Sequence, residues 1–81
     1  MARVSVKQDK DGHLLRLGMA IRARRMEMNI SQEALADYAH IDRSHIGRIE
    51  RGERNITFLN ILRIADAIQC KPSDLLRDAS L

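Results

Sequence analysis

Residues 31–55, SQEALADYAHIDRSHIGRIERGERN, constrain this chain more than any other stretch. They encode two short helices joined by a tight turn. Ser31 suits an N-cap, its hydroxyl placed to accept a hydrogen bond from an orphan amide of the next turn. Leu35, Ala36 and Ala39 then recur at helical spacing as one apolar stripe. His40 and Ile41 break that rhythm, and Asp42 offers a second N-cap. In the second helix Ile46, Ile49 and Glu50 fall on one side, while Ser44, Gly47, Arg48 and Arg51 fall on the other. Gly52 stops it, as glycine commonly does one residue past a helix end. Isoleucines on one side and arginines on the other describe a helix anchored on a core and presenting cations to a partner. Double-stranded DNA is the partner that fits.

With 81 residues the chain is one small domain. A domain of this size buries roughly 60% of its unfolded surface, a marginal but adequate core. Hydrophobic residues make up 44% and charged residues 31%, a globular rather than disordered balance. One Tyr, one Phe and no Trp leave the core to Leu, Ile, Met and Ala, which favours helix. The only strand-type alternation, Val4-Ser5-Val6, is too short to found a sheet, so the expected fold class is all-α. Cys70 is the single cysteine, which excludes an intramolecular disulfide and fits a reducing, cytoplasmic setting. The sequence carries no apolar run of membrane-spanning length and no signal-peptide pattern. A soluble cytoplasmic protein with no membrane partner is therefore expected.

The net charge of +3 argues only weakly for nucleic acid. Its distribution argues more. Arg16, Arg22, Arg24 and Arg25 stand against Glu27 in residues 13–30, and Arg43, Arg48, Arg51 and Arg54 stand against Glu50 and Glu53 in residues 43–55. Between them, residues 31–42 hold Glu33, Asp37 and Asp42 and no Lys or Arg. Charge segmented in this way suits helix faces that meet an anion alternating with faces that meet water.

In chain order, residues 1–12 are polar and mixed in charge, and read as a flexible tail, or alternatively as a basic arm on the nucleic acid. The folded domain spans residues 13–81. Its first helix runs from about residue 13 to 28, with Leu14, Leu17, Gly18, Ile21, Arg25 and Met28 on one face. Arg25 interrupts that apolar stripe and asks for a buried partner. Asn29, tolerant of the left-handed conformation, ends the helix. Thr57 caps a fourth helix through about residue 68, whose inward set is Phe58, Ile61, Ile64, Ala65 and Ile68. Leu59 and Leu62 lie on another side and exceed one core stripe. Pro72 suits the first position of a fifth helix carrying Leu75 and Leu76.

The pattern Arg25, Gln32, Leu35-Ala36, Ile46, Ile49-Glu50, Gly52, Ile61, Ala65, Ile68 and Leu75 resembles the Xre-type helix-turn-helix family, which includes the lambda repressor and Cro DNA-binding domains. The resemblance covers about residues 17–76 and implies a compact five-helix domain. Within the family, DRSHIGRIERGERNIT is most similar to the controller proteins of restriction–modification systems. His40 and Gln69 stand where the family usually has helix-ending glycines, and Ile56 where it often has Pro. The family also implies an ion pair between Arg25 and Glu50, joining the first and third helices.

In a helix-turn-helix the second helix enters the major groove with its N-terminal residues at base edges. Arg43 and Ser44 hold its first positions and Arg48 follows a turn later. Arginine binds guanine O6 and N7 bidentately, the commonest specific contact. Gly47 would let the backbone approach the DNA. Gln32, supported by its helix dipole, is expected on a phosphate. Arg51, Arg54 and Asn55 fit backbone contacts, although each alone reads nearly as well as a solvated residue. His45 either touches phosphate or base or packs against the preceding helix.

Other chemistries are poorly served. His13, His40, His45 and Cys70 lack metal-ligand spacing, so no metal and no cofactor are expected. Glu33 and Asp37 sit at i, i+4 but without a nucleophile or pocket, so an enzyme is not expected. The reading is a sequence-specific transcription regulator, a homodimer on a palindromic operator, with Leu59, Leu62, Leu76 and Leu81 as the dimer interface and no small-molecule effector. Two rivals are an antitoxin that binds a toxin and its own promoter, and a purely structural helix bundle.

Overall fold

The structure, a computed structural model, describes residues 4–81. Five helices form it: α1 (His13–Glu27), α2 (Gln32–Ala39), α3 (Arg43–Glu50), α4 (Phe58–Ala67) and α5 (Pro72–Asp78). α2 packs on both α3 and α4, while α1 packs on α3 and α5. Leu17, Ala20 and Ile21 of α1, Leu35, Ala36 and Ala39 of α2, and Ile46 and Ile49 of α3 meet Ile64, Ala65, Ile68 and Leu75 in one aliphatic core. Ile21, Leu35, Ile46, Ile64 and Leu75 are fully enclosed.

Capping chemistry sets the starts of the helices. Ser31 Oγ accepts from the Ala34 amide at 3.0 Å and Thr57 Oγ1 from the Asn60 amide at 3.2 Å, both satisfying N–H groups that a helix start leaves unpaired. Asp42 departs from its expected capping role. Its backbone is extended as a cap requires, but its carboxylate accepts the Ser44 hydroxyl at 2.6 Å instead of a backbone amide.

The ends share one solution. Asn29, His40, Gly52, Gln69 and Ser80 all have φ between +56° and +73°. After α3, the Gly52 amide bonds the Ile49 carbonyl at 3.0 Å and the Glu53 amide bonds the Arg48 carbonyl at 2.8 Å, the paired bonds of a Schellman motif. His40 and Gln69, the two departures from family glycines, keep the left-handed bend despite their side chains.

Two further differences from expectation concern residues at the edges. Phe58, expected inside, is 69% exposed. It is the first residue of α4, and Ile56 from the preceding loop packs on the core in its stead. Residues 4–12, expected within a flexible tail, carry a 3-10 turn at Val6–Gln8 and then cap α1. Asp9 Oδ1 and Oδ2 accept from the His13 and Leu14 amides at 3.0 and 2.9 Å. Residues 1–3 of that tail lie outside the described residues.

Candidate nucleic-acid interface

The site is assembled around the buried Glu50 carboxylate near the end of α3. Arg25 Nε donates to its Oε2 at 2.7 Å and Arg25 Nη2 to its Oε1 at 3.0 Å, a bidentate pair between α1 and α3. Arg25 Nη1 also donates to the Ile30 carbonyl at 2.9 Å. Gln32 Nε2 donates to Glu50 Oε1 at 3.0 Å. The Arg25–Glu50 pair therefore ties α1, the loop before α2, the first turn of α2 and α3 together. With no buried side-chain nitrogen or oxygen left without a partner among the described residues, the pair tolerates burial that an isolated charge would not.

This network alters the expectation for Gln32. One N–H of its side-chain amide is held by Glu50, which fixes the side chain and leaves the second N–H beside the N-terminal backbone amides of α2. Gly47 also differs. It is buried, because a Cβ there would lie 3.2 Å from Arg51 Nη1 and 3.5 Å from Gln32 Oε1. These two side chains pack beside the bare backbone.

The remaining expected contacts fall into two groups. Arg43, Arg48 and Arg54 are exposed, and none makes an ion pair among the described residues. Arg43 and Arg48 line a shallow depression of about 320 Å³ together with Gln32, Ser44, Gly47 and Arg51. The others are engaged within the protein. Ser44 donates to Asp42, Arg51 pairs with Glu53, and Asn55 Nδ2 donates to the Val4 carbonyl at 3.1 Å. The Arg51 hydrogen bond holds the Glu53 carboxyl below its ordinary range, so Glu53 is an anion on this cationic surface. His45 is half-buried.

Arg22, part of the segmented positive charge in the sequence but given no contact there, also lies on this surface. It shares a second depression with Leu15, Met19, Gln32, Glu50 and Arg51, and so extends the cationic surface from α3 onto α1. Its place one turn before Arg25 was the signal available.

Leu59, Leu62, Leu76 and Leu81 are exposed, on α4 and on or just past α5, and Phe58 joins them. The Leu81 amide bonds the Leu76 carbonyl at 2.8 Å, which keeps these two leucines together at the end of α5. Among the described residues no cluster of three metal-ligating side chains occurs, and no helix is long and apolar enough to cross a membrane.

This arrangement of helices has relatives. The sequence pattern of the helix-turn-helix family matches residues 21–75. Control protein C.BamHI of Bacillus amyloliquefaciens is 41% identical over 63 residues, covering 76% of this chain and 78% of that protein. The crystal structure of the restriction–modification controller protein C.AhdI from Aeromonas hydrophila is 40% identical and superposes with a TM-score of 0.76, covering 76% of this chain and 94% of that one. The P22 c2 repressor, solved in complex with a synthetic operator, is 35% identical with a TM-score of 0.71 over 76% of this chain and 94% of its own. The chain belongs to the helix-turn-helix family of DNA-binding transcription regulators, in the group of the restriction–modification control proteins.

Proposed function

We propose that this protein acts in the cytoplasm as a homodimer on a roughly palindromic operator, and so controls transcription of restriction–modification genes. The observation that carries the DNA reading is the exposure of Arg43 and Arg48 at the first position and second turn of α3, without ion-pair partners among the described residues. They supply the donors for base edges. The N-terminus of α2, Arg22 and Arg54 supply contacts to phosphates on either side. The operator-bound P22 c2 repressor and the control proteins among its relatives support this use of the fold.

A single recognition helix reads only a few base pairs, too few to choose one site in a genome. Two domains related by a two-fold axis would read half-sites about 34 Å apart, or a multiple of that turn. The exposed apolar residues Phe58, Leu59, Leu62, Leu76 and Leu81 supply a self-complementary surface for that axis.

Selection of bound duplexes from a random pool, with sedimentation at micromolar protein, tests both halves. The expected result is a dimer and an enriched sequence with two-fold symmetry. A strict monomer that binds a half-site as tightly as the full palindrome would overturn the dimer. Failure to enrich any sequence would overturn the regulator.

A further inference from the structure

Arg51 is placed with more care than a phosphate contact at a helix end requires. Its side chain runs back along α3, as helical side chains lean toward the N-terminus, until Nη1 lies 3.2 Å from the missing Cβ of Gly47. On its other side Glu53 grips it, with Nε donating to Oε2 at 2.8 Å and Nη2 to Oε1 at 3.2 Å. The left-handed Gly52 between them reverses the chain and brings the carboxylate back onto the guanidinium.

Both members of this ion pair are about half exposed. A pair so exposed adds little to stability, so the fold does not need it. Its effect is to immobilise. The bidentate grip uses one side of the guanidinium fork and leaves the Nη1 side free to donate. Arg51 lines the same depression as Arg43 and Arg48. The carboxylate also has a cost for binding, since it puts a negative charge among the arginines that must approach phosphates.

We propose that Glu53 is a specificity-determining positioning residue, which locks Arg51 over Gly47 so that its free edge meets one acceptor pair of the operator, while its own charge opposes phosphates elsewhere. On operator DNA the preorganised Arg51 contributes a directed contact. On unrelated DNA the same unit is nearly neutral and gains little. The inference rests on the DNA-binding reading above.

The test compares wild type and Glu53→Gln on the duplex that wild type selects from a random pool, and on a scrambled duplex of equal length, over a series of salt concentrations. Glu53→Gln is expected to melt with wild type, to bind the scrambled duplex as tightly or more tightly, and to bind the selected duplex about three- to tenfold more weakly. The ratio of the two affinities should fall by at least about threefold. In an Arg51→Ala background the same substitution should lose its effect on the selected duplex, because Glu53 acts through Arg51. A ratio unchanged or raised in Glu53→Gln overturns this inference alone. A wild-type protein that selects no duplex overturns the DNA-binding reading and this inference with it.

Discussion

The backbone of α3 lies directly against Gly18 of α1: a Cβ at Gly18 would stand 2.5 Å from the carbonyl oxygen of Glu50 and would also overlap that of Ile49. Neither obstacle is the movable end of a side chain. Helix against helix at this distance lets Arg25, two turns further along α1, reach the Glu50 carboxylate. Gly18→Ala should therefore force α1 and α3 apart. Overpacking of this kind costs about 1–3 kcal/mol, visible as a lower urea midpoint. Melting at the wild-type temperature would show that the two backbones can yield without loss.

The Arg25–Glu50 pair should be far more costly to break than a surface pair. Glu50→Ala leaves the largely buried Arg25 guanidinium with its principal partner gone and deprives the Gln32 amide of its acceptor. A loss of about 3–5 kcal/mol is expected, measured by denaturant unfolding. Arg25→Ala should cost a similar amount, since it strands the more deeply buried carboxylate. If either variant unfolds within a fraction of a kcal/mol of wild type, the network is not what joins these helices.

Arg43→Ala and Arg48→Ala should each relax sequence preference at a defined operator position and cost about 1–3 kcal/mol of binding. Arg54→Ala and Arg22→Ala should weaken all duplexes alike and shallow the salt dependence by about one unit of slope each. Repeating the selection with each variant separates the two classes. An unchanged consensus for Arg43→Ala would remove it from base reading.

Asp9 predicts an acid-side dependence of stability. The hydrogen bond from the Leu14 amide holds its carboxyl below the ordinary 3.8. A carboxyl depressed in the folded state stabilises the fold at pH values above its unfolded pKa, and this contribution disappears as the pH falls through its folded pKa. Asp9→Asn should lower the melting temperature at neutral pH, with the gap from wild type closing as the pH falls below 3.8. A gap that persists undiminished in acid would mean that charge at the start of α1 is not what Asp9 supplies.

Local chemistry makes much of this fold legible in the sequence. The Ser31 and Thr57 caps depend on side chains a few residues away, and each apolar stripe declares its own period, so α1 to α5 follow from short windows of sequence. The left-handed ends at Asn29 and Gly52 are local in the same sense. Even the Arg25–Glu50 pair announced itself, since a cation on an apolar stripe needs a partner and the family pattern names one.

What the tertiary structure alone decided is which of these polar side chains find partners within the protein. Arg43, Arg48, Arg51 and Asn55 lie in one short run of sequence, yet Glu53 holds one edge of Arg51 and Asn55 bonds the Val4 carbonyl of a segment 51 residues away, while Arg43 and Arg48 have no ion-pair partner among the described residues. Gln32 reaches Glu50 and lies beside Gly47 because α2 packs on α3. Phe58 stays outside because Ile56 is already on the core. Helical periodicity shows the direction in which a side chain leaves its own helix. Its partner is set by the packing of other helices, a long-range outcome that no short window contains.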